Sequence, residues 1–304
     1  MKLIKRRGWN HEIEPQSYER LCASEHAAVL SAEETRDIIA DRIKAVSESF
    51  SFDRDVFAKT NYVNDAANYQ LLPVRYQQCN DCTAHGVAAA VQGWQTINTY
   101  LGFKEQTAFL VHRPFCYSWA YGSLTKESGD VGRSISCMLL GVSEVGVLPE
   151  DQIEIGHEYS AKVVKAWCVK YRDMDSAPFA RYIPLAKQYK VTVGNIGRDA
   201  DLFVDACRAG LAVVYGAVYY PSRLNGNTWT ASTGGGHCQA AYGWKQDGTI
   251  GIENSWNDGF GWATKDIVKR MTAGRYFDAF AIIDMEPRPA SKPNWELIPG
   301  WAEF

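Results

Sequence analysis

Apolar residues recur at helical spacing three times in the first half of the chain, then give way to short apolar runs punctuated by glycine. From Cys82 the positions Ala84, Val87, Ala88, Val91, Trp94 and Ile97 step by three and four, which predicts a helix. Many of its residues are small, as suits a helix buried on several sides. Ile135, Met138, Leu139 and Val142 predict a second helix, ended by Gly146 and Pro149. Val164, Trp167, Cys168 and Tyr171 predict a third. Upstream, Ser31 to Glu34 is a capping box. The helix it starts carries Ile38, Ile39 and Val46 as apolar positions.

The second half changes period. "LAVVYGAVYY", residues 211–220, predicts a buried strand. "HCQAAYGW" and "TIGIENSW" predict two strands joined through Asp247 and Gly248, a strong hairpin signal. "FDAFAIIDM" predicts another. A helical half followed by a β half implies an α+β fold of two lobes, a helical N-terminal lobe and an antiparallel C-terminal lobe, with a cleft between them. No internal repeat or low-complexity block interrupts this order. Residues 1–61 form an N-terminal extension, 62–286 the main domain, and 287–304 a Pro- and Trp-rich tail expected to lie along a surface. Both ends are expected to be held in place, by the domain itself or by a larger assembly.

Composition narrows the partners. The 304 residues carry a net charge of −3, which leaves no electrostatic footprint for nucleic acid. No stretch approaches the roughly 18 apolar residues that a membrane span needs. The N-terminus lacks the apolar core of a secretory signal, so the chain is expected in the cytoplasm where it is made. In that reducing setting its eight cysteines do not form a disulfide scaffold by default.

Two of those cysteines, Cys79 and Cys82, stand three apart just before the long helix. A redox pair would need a strand–helix setting that the irregular preceding segment does not offer. A zinc site could recruit Cys79, Cys82, His237 and Cys238, but the last two are neighbours that point opposite ways in a strand. A nucleophile fits better. Cys82 at a helix N-terminus meets unpaired N–H groups and the positive end of the macrodipole, which favour a thiolate. It still needs a base, and the base needs an orienting group. With a strict two-residue turn at Asp247-Gly248, paired residue numbers sum to 495, whereas His237 and Asn254 sum to 491. The even offset puts both side chains on one face, and direct pairing would need a longer loop or a bulge.

These segments resemble the papain-like cysteine peptidases, in the form found in bacteria and phages. "PVRYQQCNDCTAHGVAAA" is similar to the family's nucleophile segment. "ESGDVGRSI" and "VSEVGVLPED" are similar to the next helix and loop in the family's bacterial members. "GGGHCQAAYGW" and "GIENSWNDGFGW" are similar to its His and Asn-Ser-Trp segments. The similarity spans roughly residues 62–286. His237 follows Cys82 by 155 residues, against about 130–150 expected. The resemblance implies a papain-like fold and a thiol peptidase acting on protein or peptide, with no metal or cofactor. Cys82 would be the nucleophile, His237 the base and acid, Asn254 its orienter, and Trp256 a shield over the His–Asn bond. Gln77 would help to hold the oxyanion, and Gly129 would lie beside bound substrate backbone.

Departures accompany the match. The family's glutamine stands six residues before its cysteine. Here Gln77 is five before and Gln78 four before, so either can serve. Asp81 is able to cap the helix, but its charge beside Cys82 opposes a thiolate. That opens an alternative: a papain-fold structural or binding component of a larger particle, such as a phage virion, with weak or lost activity. Cys79 is expected to be a free thiol. Cys22, Cys116, Cys137, Cys168 and Cys207 are expected to be small buried apolar residues. His85 is a rival base expected to face the lobe interior or a polar neighbour. The extension is either an outer packing helix or a segment that blocks the cleft.

Overall fold

Capping, turn chemistry and two periods of apolar residues account for most of the elements. The computed structural model describes residues 29–49, 74–77, 80–101, 108–117, 132–153, 180–245, 247–256 and 259–286. The helix expected around Val164 to Tyr171, the tail 287–304, Cys22, Cys79 and most of the extension lie outside the described residues. The longer helices are α1 (Ala32–Ser49), α2 (Cys82–Tyr100), α3 (Ile135–Glu144), α4 (Ala200–Arg208) and α5 (Lys265–Thr272). The strands are β1 (Val29–Leu30), β2 (Val191–Asn195), β3 (Ala212–Asn225), β4 (Thr228–Trp244), β5 (Ile250–Glu253), β6 (Phe260–Ala263) and β7 (Phe277–Met285).

Among the described residues one sheet holds all seven strands in the order β1-β2-β7-β3-β4-β5-β6. The β1–β2 pair is parallel, and successive neighbours from β2 to β6 are antiparallel. Thr228 at the start of β4 also pairs with Trp262 of β6, so the far edge curls back on itself. The β3–β4 hairpin is longer than the apolar run suggested. It continues past Tyr220 to a turn between Asn225 and Thr228. Its outer half is largely polar and exposed, which is why hydrophobicity alone stopped the strand early.

The capping box forms as its residues dictate. Glu34 N–H donates to Ser31 Oγ at 3.2 Å, and Ser31 N–H donates to Glu34 Oε2 at 2.8 Å. α1 packs on α4 and β2, with Ile39 and Val46 buried. Burying each contributes about 1.5–3 kcal/mol. Arg42 donates to the Ala209 carbonyl at 3.1 Å and to Asn98 Oδ1. Asn98 lies 16 residues along α2 from Cys82, about 24 Å at the helical rise. The described part of the extension therefore meets α2 at the end remote from Cys82.

α2 crosses the sheet against β3 and β4 and is buried on every side from Cys82 to Asn98. Close approach depends on Gly86, where an added Cβ would lie 2.6 Å from Cys238 Sγ. Gln92 and Gln95 turn inward and accept the backbone N–H groups of Val111 and Phe109 at 3.0 and 2.9 Å. α3 is capped by Ser134, whose Oγ accepts from Cys137 N–H at 3.2 Å. It stops at Gly146, as expected. Gly146 has φ +99°, and a Cβ there would lie 1.9 Å from the Ala186 carbonyl oxygen. Gly146→Ala is expected to cost about 3 kcal/mol, read as a lower urea midpoint.

The division into a helical and a β half needs one correction. α4 and α5 lie within the second half, each opened by a side-chain cap. Asp199 Oδ1 accepts from Asp201 and Leu202 N–H at 3.0 Å, and Thr264 Oγ1 accepts from Ile267 N–H at 3.4 Å. Both caps are visible in the sequence, but the flanking strands draw attention from helices this short. Cys116, Cys137 and Cys207 are buried thiols outside any disulfide.

Candidate active site

β4 and β5 bring the histidine and the asparagine together. Ala240 pairs with Glu253 and Ala241 with Ile252, while Trp244 pairs with Ile250 across a register shift. The pair nearest the turn sums to 494 and the other two to 493, not 495, because the turn is longer than two residues and the register shift adds a second step. Gly248 N–H closes it on the Lys245 carbonyl at 2.9 Å. The offset to His237 and Asn254 stays even, so both side chains keep to one face. His237 Nε2 lies 2.9 Å from Asn254 Oδ1.

The Asn254 amide is fixed from both ends. Its Nδ2 donates to the Pro221 carbonyl at 3.3 Å, and its Oδ1 also accepts from Trp256 N–H at 3.1 Å. Oδ1 can only accept, so His237 Nε2 carries the hydrogen and Nδ1 is the basic nitrogen. The Trp256 ring stacks on the imidazole, with centroids 4.0 Å apart and planes 22° from parallel. Tyr220 packs against both rings, at 5.0 Å from His237 and 5.5 Å from Trp256. His237 and Cys238 turn to opposite faces, Cys238 toward Gly86 of α2.

Cys82 opens α2 and is 0% exposed. The backbone N–H of Cys238, the residue after His237, lies near enough to its sulfur to favour the thiolate, which sets the helix start beside β4. Burial pushes the thiol up to about 12, and the Asp81 charge adds to this. The N–H groups of Cys238, Thr83 and Cys82 itself pull the other way. The helix start was expected to favour a thiolate; removal of water outweighs it. Burial likewise lowers His237 to about 4, against the opposing pull of its Asn254 bond, and the nearby His85 adds to the lowering. In this closed arrangement the pair is a neutral thiol beside a neutral imidazole.

Gln77 is buried and doubly tied to the Asn-Ser-Trp segment. Its N–H donates to the Ser255 carbonyl at 2.9 Å, and its Oε1 accepts from Ser255 Oγ at 2.6 Å. The amide's donor end is its Nε2. Gln78 and Gly129 lie outside the described residues. Asp81 does not cap α2 with its side chain: neither carboxylate oxygen takes a hydrogen bond, and Oδ2 instead faces His85 Nε2 at 3.6 Å.

Two participants went unnoticed in the sequence. Ser255 stands inside the Asn-Ser-Trp run, so adjacency could have found it. Tyr220 belongs to an apolar strand run and carries no local signal. Among the described residues no group of three or more His, Cys, Asp or Glu side chains is arranged to hold a metal, and no helix is long and apolar enough to cross a membrane.

No protein-family model matches the sequence, and no curated protein sequence matches it. Among solved structures the chain is similar to xylellain, a cysteine protease from Xylella fastidiosa, with a TM-score of 0.51 and 21% identity over 71% of this chain and 83% of that one. It is also similar to the cysteine protease and lectin-like domains of Cwp84, a surface layer associated protein of Clostridium difficile. That match has a TM-score of 0.50 and 16% identity over 72% of this chain and 50% of that one.

Proposed function

We propose that this chain, which has the papain-like fold of cysteine proteases, is a thiol peptidase acting on protein or peptide substrates. The observation that carries the reading is the His237–Asn254 bond at 2.9 Å, with the N–H of the next residue, Cys238, acting on the Cys82 sulfur. Nδ1 of His237 takes the thiol proton as Cys82 Sγ attacks the carbonyl carbon. The charge that develops on the carbonyl oxygen is held by the Cys82 N–H and the Gln77 amide donor. Collapse breaks the C–N bond, His237 protonates the leaving amine, and a thioester remains. Water, deprotonated by His237, then releases the acid and restores the thiol. Trp256 and Tyr220 keep water from the His–Asn bond.

A papain-class epoxide tests the reading. It is expected to label Cys82 and no other cysteine. Failure to label Cys82 in folded protein would favour the alternative, a papain-fold binding component, for which Asp81 beside the thiol is the motive. A peptide-library cleavage profile would then define the substrate. Asn254→Ala is expected to lower turnover about 10- to 100-fold, because it frees the imidazole to misorient without removing it. Equal losses for Asn254→Ala and His237→Ala would contradict that division of roles.

A further inference from the structure

Asp81 and His85 face each other across one turn at the start of α2, at 1% and 2% exposure. His85 Nδ1 lies 3.1 Å from the Arg75 carbonyl. A carbonyl only accepts, so Nδ1 carries a hydrogen. On the other side Nε2 faces the Asp81 carboxylate at 3.6 Å. A neutral imidazole would present a lone pair to that carboxylate, leaving a buried charge with no hydrogen bond. Of the neighbouring cations, Arg75 and Arg113 are bridged by Glu150 at 2.9 and 3.4 Å, and Arg113 lies within the field of Asp81 without bonding it. Glu253 also lies within the field of Arg113 and receives the Tyr242 hydroxyl.

We propose that Asp81 and a protonated His85 form a net-neutral ion pair, so that His85 is a positioning residue that cancels the carboxylate beside Cys82 and anchors the segment leading to Gln77. Burial disfavours each charge alone and tolerates them only together. Taken singly, burial lowers His85, Asp81 opposes this, and Arg113 reinforces it. His85 is also felt by His237, so the pair borders both members of the proposed dyad. The same ring holds the Arg75 carbonyl two residues before Gln77. The Asp81 charge, which alone would argue against a reactive thiol, is thereby masked. The inference rests on Cys82 being the nucleophile.

The test is the pH dependence of Cys82 alkylation by iodoacetamide in the full chain, followed peptide by peptide in a mass spectrometer. Iodoacetamide reaches the buried sulfur as the site opens, which also relieves the burial that raises the thiol, so the midpoint read is that of the opened site. His85→Gln fills similar volume but cannot hold the proton. It is expected to raise the midpoint and to slow alkylation near neutral pH about tenfold. Asp81→Asn combined with His85→Gln is expected to restore the rate to within about twofold of the parent. Melting curves confirm that each variant is folded. A purely structural His85 would slow the reaction equally with or without Asp81, and equal slowing would overturn the proposal, as would an unmoved midpoint in His85→Gln. Peptide turnover is measured in parallel. Rescue of alkylation without any cleavage by the parent would uphold the pair and sink the peptidase reading instead.

Discussion

His237→Ala is expected to abolish both peptide turnover and epoxide labelling of Cys82, a loss of about 10³-fold or more. With the thiol held up to about 12, almost none of it is ionised at neutral pH. Attack therefore depends on a base that takes the proton as the bond forms. On the proposed reading Nδ1 of His237 is that base, because Nε2 is committed to Asn254. His85 cannot substitute, since one ring nitrogen is turned to Arg75 and the other to Asp81. The decisive measurement is labelling by mass spectrometry in a variant whose melting temperature is unchanged. If His237→Ala kept its labelling while His85→Ala lost it, the assignment of base would be wrong.

Deleting residues 1–61 is expected to lower the melting temperature by ten degrees or so and to promote aggregation, with no gain in Cys82 labelling. The described helix buries Ile39 and Val46, and its Arg42 bonds Asn98 and the Ala209 carbonyl. Losing two such side chains forfeits about 3–6 kcal/mol, and about 1 kcal/mol shifts melting by roughly 2–4 °C in a domain of this size. A segment lying through the cleft would behave otherwise. Its removal would speed labelling manyfold at unchanged stability, and that outcome would make the extension an inhibitory plug.

Local signals carried much of this fold. The capping box at Ser31, the helix from Cys82 and the strand ending at Met285 follow from periodicity and caps that can be counted along the chain. The shared face of His237 and Asn254 followed from parity, which holds because the odd slip at the longer turn is matched by a second at the register shift between Ala241 and Trp244. What stayed hidden was set by tertiary context. The polar outer part of the β3–β4 hairpin has no apolar alternation to betray it. The helix-start argument for a Cys82 thiolate was sound locally and lost to burial, a property of everything packed around the sulfur. Asp81 looked like a cap or a liability because the sequence does not say which way a carboxylate turns; its distance to His85 does.

A thiol kept protonated and out of solvent is also chemically quiet. The thiolate is what attacks peroxides and disulfides, so a sulfur with a pKa near 12 climbs the oxidation ladder slowly. If the chain is the peptidase proposed, the burial that holds back attack is also storage: a closed Cys82 is expected to outlast an open, ionised cysteine under peroxide and to become vulnerable as the site opens.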